Sequence, residues 1–275
     1  MSFLVLLLVV LLERIGHWRE RVQQDGPLRA ALARVEAEPR LAGRPLRQLA
    51  LLFGMPLLLL GLLLWMLAPL AYGILLLPVH VLVLLWSLGR GDPQLSLAPF
   101  RDSWQRGDVE AAYLDARRDL GVQAEDAPKL LAEAQGFLLW QAYQGFFAVV
   151  FWYAVLGPLA ALAYRLLALL VEHAGDAGLR RWAARLRHGL DWLPARLLVL
   201  SLALAGNFIA ANRVFWAYLF DLRASATQLV AEAGRAAADA LPGRGGVETL
   251  DELWRLLQRT ALVWYCAVAL WVLLV

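Results

Sequence analysis

Apolar residues gather in long uninterrupted runs along this chain instead of alternating with polar ones. Crossing about 30 Å of hydrocarbon takes about 20 helical residues, and runs of that length separate a membrane helix from a buried core helix. Leu49 to Leu88 is the clearest run, 40 residues without one charged side chain. It is long enough for two crossings, and Pro69 and Gly73 place a turn near its middle, so a helical hairpin is predicted. Phe137 to Val171 forms a second block, broken at Gly157-Pro158. That block reads as two crossings, or as one crossing plus a broken helix. Leu193 to Phe220 predicts a further apolar helix, and Thr260 to Val275 a short final one rich in Trp and Val. The opening run, Ser2 to Leu12, is shorter than a full span and meets Glu13-Arg14 at once. It lacks the basic start and small-residue cleavage site of a secretory signal, so it reads as a retained helix continuing past Glu13.

The polar stretches between these runs carry their own helical signals. Glu13 to Gln48 holds eight Arg against five acids, an excess that points to the cytoplasmic side. Within it Pro27 opens a short helix with Leu28, Ala31, Leu32 and Val35 at helical spacing. Gly89 to Gly136 has six basic and nine acidic residues. Its acidity does not oppose a cytoplasmic position, because orientation follows Lys and Arg and not net charge. Asp108 is an N-cap for a helix whose stripe is Val109, Ala112, Tyr113, Ala116 and Leu120, closed by Gly121. Another helix starts at Asp126-Ala127-Pro128 and runs toward the next span. Leu179 to Leu190 puts Leu179, Trp182, Ala183, Leu186 and Leu190 on one side, with Arg180, Arg181, Arg185 and Arg187 elsewhere. Such a helix lies on an anionic membrane surface or packs on the bundle as a solvated loop helix. Asp221 to Arg259 is polar, Ala-rich and broken at Pro242 to Gly246, and its side of the membrane stays open. Gly54 and Gly61, seven apart, would let a neighbouring backbone approach closely, unless they are simply scattered glycines.

The expected fold is therefore all-α: a polytopic transmembrane helical bundle with amphipathic and cytoplasmic helices. We take 1–275 as one domain with segments 1–12, 13–48, 49–88, 89–136, 137–171, 172–192, 193–220, 221–259 and 260–275. Composition agrees, with 61% of the 275 residues apolar and 18% charged and a mean hydropathy of +0.58. Soluble domains run at about 45–50% apolar and about 25% charged. Disorder and disulfide scaffolds are excluded, and the lone Cys266 cannot pair within its own chain. Net charge is +3, and all basic residues but Lys129 are Arg. No basic stripe interleaved with aromatics stands clear of the apolar runs, so nucleic acid is not an expected partner.

Several familiar chemistries are missing from the pattern. Gly243-Arg244-Gly245-Gly246 lacks the Lys-Ser/Thr of a phosphate-binding loop, and there is no Gly-x-Ser-x-Gly elbow. His17, His80, His173 and His188 show no ligand spacing, so no metal is expected. No carboxylate lies within an apolar span, which weakens a proton-coupled carrier. What remains is a small polar set in or beside the apolar helices. In Asp191-Trp192-Leu193-Pro194-Ala195-Arg196 an acid and a base flank a proline at a helix start, with Asp191 where the dipole favours negative charge. Eleven residues on, Asn207 returns to nearly the face of Arg196, giving a polar seam. An intramembrane Arg is costly unless paired, so Arg196 either binds an anion or pairs with Asp191 while reaching for the interface. Arg165 is a second such residue. Gln141 and Gln144 share a helix face and bond across a helix interface or line a cavity. Glu13 and Arg14 complete the set, as site residues or as membrane-edge anchors. No catalytic residue and no cofactor are assigned. The expected partners are the bilayer, a small anionic molecule and a second copy of the chain.

Glu13-Arg14, the block Gln141 to Arg165 with Phe151-Trp152-Tyr153 and Leu156-Gly157-Pro158, and above all Asp191-Trp192-x-Pro-Ala-Arg resemble the AmpE family of bacterial inner-membrane proteins. The likeness runs the length of the chain. It implies a multi-pass inner-membrane protein with a regulatory or signalling role in β-lactamase induction and cell-wall turnover. The pattern also resembles the CobD/CbiB membrane enzymes of cobalamin synthesis, which attach an aminopropanol arm to a corrinoid carboxylate. Asp191, Pro194, Ala195 and Arg196 match their acid and Pro-Ala-Arg. Gln141 and Gln144 stand where those enzymes carry a Glu- and Asn-rich motif, and Asp221 to Arg259 has no counterpart of their Ser-Pro-Asn loop. An amide-forming enzyme with a changed substrate, using Glu13, Arg14, Asp191 and Arg196, and a carrier of peptidoglycan-derived metabolites are the alternative readings. A shared scaffold does not carry function with it.

Overall fold

Among the described residues the chain is helical throughout, with no strand. A computed structural model describes residues 2–15, 23, 25–41, 43–69, 75–219, 221, 224–239 and 246–274. His17, Gly73 and the break at 242–245 lie outside them. Contacts divide the chain into two units, residues 1–90 with 148–191 and residues 91–147 with 192–275.

The first unit begins with α1 (Ser2–Ile15), α2 (Gly26–Ala37), α3 (Pro45–Leu67) and α4 (Leu76–Ser87). It is completed by the end of α7 (Ala127–Leu156), by α8 (Pro158–His173) and by the first part of α9 (Ala177–Ala205). α1 runs past Glu13 as its sequence suggests. α8 is the central helix and packs on α3, α4 and residues 148–156. Leu32, Leu49, Leu52, Leu167, Leu170, Leu179 and Ala183 form one buried cluster that joins α2, α3, α8 and α9. Gly157 separates α7 from α8 with φ at +79°, a left-handed setting open to glycine at little cost, and Pro158 starts the next helix. At the α8–α9 turn, the Gly175 and Asp176 N–H groups donate to Glu36 at 2.8 and 3.0 Å, and Asp176 accepts from the Leu179 N–H at 2.7 Å. These bonds satisfy donors that a helix start leaves orphaned.

α3 is a helix with too little protein around it. Only 17% of its most apolar stretch is buried, and Leu58, Leu59, Leu62, Trp65 and Met66 are all exposed. A soluble protein does not leave that much contiguous apolar surface in water, so the lining of α3 suits lipid. α7 is also long and apolar enough to cross a bilayer, but 56% of its corresponding stretch is buried. Among the described residues these two helices are both long and apolar enough to cross. α4, the second arm of the expected hairpin, has 12 residues, a rise of about 18 Å. Gly61 faces Leu159 of α8, 3.9 Å from where a Cβ would lie. Gly54 and Gly61 line an 870 Å³ apolar groove beside Leu159 and Ala163 of the same chain.

The second unit contains α5 (Pro93–Gln105), α6 (Val109–Asp115, continued by a wider turn over Ala116–Leu120), the first part of α7, the end of α9, α10 (Phe208–Tyr218), α11 (Ala226–Ala237) and α12 (Glu248–Leu274). Asp92, Asp108 and Asp126 cap α5, α6 and α7, accepting from Gln94, Ala111 and Lys129 N–H groups at 2.9, 3.0 and 2.8 Å. Gly121, with φ at +69°, closes the turn after Leu120 as its position predicts. Residues of α7 pack against α5, α11 and α12, and Gln135 donates to Thr249 at 2.8 Å in the interior.

Three expected boundaries move. The basic helix expected at Leu179 to Leu190 and the start of the apolar helix at Leu193 are one continuous element, α9, which carries Pro194 inside it. The expected helix 193–220 then breaks at Gly206 into the end of α9 and α10. The final apolar helix is longer than its apolar run, because α12 begins back at Glu248.

Candidate functional site

A buried polar network lies in the first unit, between α8 and α9. Tyr164 of α8 is fully buried and donates its hydroxyl proton to Asp191 Oδ1 at 2.8 Å. Asp191 Oδ2 lies 3.5 Å from Arg187 Nε, one helical turn earlier on α9. The Arg187 guanidinium also sits over the Tyr164 ring, 5.7 Å from its centre. Asp191 is thus held by a phenol from one helix and a guanidinium from its own, and both acid and base are buried.

Arg165, the next residue on α8, is 4% exposed, and its Nε has no hydrogen-bonding partner. The charges that act on it are those of Arg90, Asp25, Glu172 and Arg187. Asp25, before α2, and Arg90, after α4, form a two-nitrogen ion pair, with Arg90 Nε at 2.9 and 3.0 Å from the two carboxylate oxygens. Burial alone would raise the Asp25 pKa. The hydrogen bond and charge of Arg90 outweigh it and hold the carboxyl below its ordinary range.

Arg196, in the second unit, has a different occupation. Its Nη1 donates to the Trp192 carbonyl at 3.0 Å, Nε to Leu219 at 3.0 Å, and Nη2 to Tyr218 at 2.9 Å and Asp221 at 3.0 Å. The guanidinium stacks 4.4 Å from the centre of the Trp192 ring. The Tyr218, Leu219 and Asp221 carbonyls close the C-terminal end of α10, where the helix dipole is negative and a cation is favourable. Asp191 and Arg196 are five residues apart on one helix, about 140° around its axis, and each serves its own network.

The polar seam from Arg196 to Asn207 does not form. Gly206 ends α9, and Asn207 is the N-cap of α10: its Oδ1 accepts from Ala210 N–H at 3.1 Å and its Nδ2 donates to Asp239 at 2.9 Å. Gln144 donates to Gln141 at 2.8 Å, a bond along one helix face. Glu13 and Arg14 lie on the last turn of α1, and their side chains are outside the described residues.

Sequence reasoning passed over Tyr164, Arg187, Asp25 and Arg90. Trp182 and Leu186, placed on the apolar side of a surface or bundle-packed helix, are exposed, with Arg185 stacked on Trp182. The buried line runs instead through Leu179, Ala183, Arg187 and Asp191. That i, i+4 spacing was the available signal for Arg187. Among the described residues no group of three or more His, Cys, Asp or Glu could hold a metal ion.

The family model described as "Regulatory signalling modulator protein AmpE" matches residues 1–274. Protein AmpE of Shigella flexneri is 27% identical over 282 aligned residues, which cover 98% of this chain and 97% of that protein. No solved structure matches the chain.

Proposed function

The chain belongs to the AmpE family, and from that membership we propose that it is a multi-pass protein of the bacterial inner membrane that modulates β-lactamase induction in response to cell-wall turnover. The observation that carries this reading is a family match reaching from residue 1 to residue 274, so no other domain within the chain competes for the assignment. The exposed apolar surface of α3 and the length of α7 support residence in a bilayer. The capped helices α5 and α6 are amphipathic and short, as suits a segment at the membrane surface. In this reading the buried Tyr164, Arg187 and Asp191 network holds α8 and α9 in one register, and a signal acts by changing that register.

Deletion and complementation test it in a strain with an inducible β-lactamase. Loss of the chain should change the induction ratio for a fixed β-lactam dose, and the wild-type copy should restore it. Unchanged induction and unchanged β-lactam susceptibility across several inducers would overturn the reading. Reporter fusions at 89–92, 174–176 and 246–248 test the number of crossings, because a single-crossing protein gives one change of side.

A further inference from the structure

Arg165 has a buried charge that its described surroundings leave unanswered. Guanidinium stays protonated in a protein, so burial cannot neutralise it. The half-buried Asp25 is already engaged with Arg90, and the buried Asp191 with Tyr164 and Arg187. Glu172 acts on Arg165 from a distance, with its side chain 64% exposed. Among the described residues Arg165 has no hydrogen-bond acceptor, and its Nε is fully enclosed without one. Arg165 is thus a buried cation to which the described residues offer no acceptor.

We propose that Arg165, flanked by Arg90 and Arg187, binds an oxyanion group, such as the phosphodiester of an anionic lipid or the carboxylate or phosphodiester of a soluble molecule. An isolated buried charge is expensive and a counter-ion removes that cost. The planar fork of an arginine matches two oxygens of a carboxylate or phosphate, which a halide cannot supply. The neighbouring guanidiniums raise the local potential, while Asp25 and Asp191 keep those two arginines aligned. Nothing in this inference depends on a role in induction.

The test uses the full chain purified into nanodiscs, with its thermal unfolding midpoint as readout. In phosphatidylcholine alone, acetate and dimethyl phosphate are titrated at constant ionic strength against chloride. In discs with added phosphatidylglycerol, retained lipid is counted by native mass spectrometry. A soluble ligand site raises the midpoint with acetate or dimethyl phosphate, and a lipid site retains one phosphatidylglycerol per chain. In either case Arg165→Gln weakens the effect at least about tenfold, and Arg165→Lys, which keeps the charge without the fork, retains part of it. Arg165→Gln should also fold and unfold no lower than wild type in neutral lipid without added anion, because it removes an unpaired charge. The proposal is overturned if neither arm gives an Arg165-dependent effect. It is equally overturned if Arg165→Gln fails to fold or is destabilised equally with and without anion, since Arg165 is then an internal strut. The β-lactamase assay is not involved, so this result and the regulatory reading fail separately.

Discussion

The hydroxyl of Tyr164 donates to the carboxylate of Asp191 at 2.8 Å, linking α8 to α9 where both residues are buried. Tyr164→Phe removes the proton and leaves a carboxylate oxygen short of one donor, a loss of about 1–3 kcal/mol. Asp191→Ala removes a partner that Tyr164 and Arg187 share and takes the acid from a buried ion pair, at a cost of about 3–5 kcal/mol. Unfolding of the purified protein in a mild detergent should rank wild type, Tyr164→Phe and Asp191→Ala in that order. A reversed order of the two variants would mean that Arg187, and not Asp191, is the anchor of this network.

The Asp25–Arg90 pair makes a pH-dependent contribution whose sign follows from the direction of the shift. Arg90 holds the Asp25 carboxyl below its unfolded value, so the folded state binds fewer protons than the unfolded one. The stabilisation is full above the ordinary carboxylate range and is lost as pH falls below about 4 toward the depressed folded value. Arg90→Gln should therefore lower the unfolding midpoint at pH 7, and the gap from wild type should narrow on acidification to about pH 3. A gap that does not change with pH would assign the effect to the Arg90 bonds with the Trp86 and Leu88 carbonyls.

Local signals in the sequence were reliable where a single residue decides the backbone. Asp108, Asp126, Gly121 and Gly157-Pro158 mark helix ends that the structure shows, because a cap or a positive φ depends on that residue alone. Reading failed where tertiary contacts choose between faces. Hydropathy sets Arg187 of 179–190 apart from the apolar stripe with the other arginines, yet Arg187 is buried and finds an acid in the interior, while Trp182 and Leu186 of the stripe are exposed. Asn207 was placed on the face of Arg196 by counting residues along a helix that stops at Gly206. The partners of Arg196, the carbonyls of 218–221, are more than twenty residues away and backbone atoms, so no side-chain pattern announces them.

Arg196 behaves as a side-chain cap on α10, which predicts a local effect. Arg196→Lys keeps the charge but cannot reach the carbonyls of 218, 219 and 221 together, since one ammonium has no planar fork. Hydrogen exchange should quicken at the C-terminal end of α10, and overall stability should fall by about 1–3 kcal/mol. Exchange that quickens equally through α11 and α12 would show that Arg196 supports the unit as a whole and not the end of one helix.

Two glycines of the second unit should respond to alanine with opposite signs. A Cβ on Gly206 would run into the Ala237 carbonyl oxygen and come within 3.0 Å of Leu256 Cδ1. The carbonyl is backbone and already accepts the Asn207 N–H at 2.7 Å, so it cannot move aside without breaking that bond. Gly206→Ala should cost about 1–3 kcal/mol or more. Gly136, inside α7, leaves room: a Cβ there meets Ala231 at 3.7 Å and Arg235 Nη1 at 3.8 Å, ordinary contact distances. Gly136→Ala should gain up to about 1 kcal/mol, because alanine loses less backbone freedom in a helix. Paired unfolding curves of the two variants decide it. Equal destabilisation by both would mean that α11 packs on α7 more closely than these distances describe, and a neutral Gly206→Ala would show that the α9–α10 corner gives way without loss.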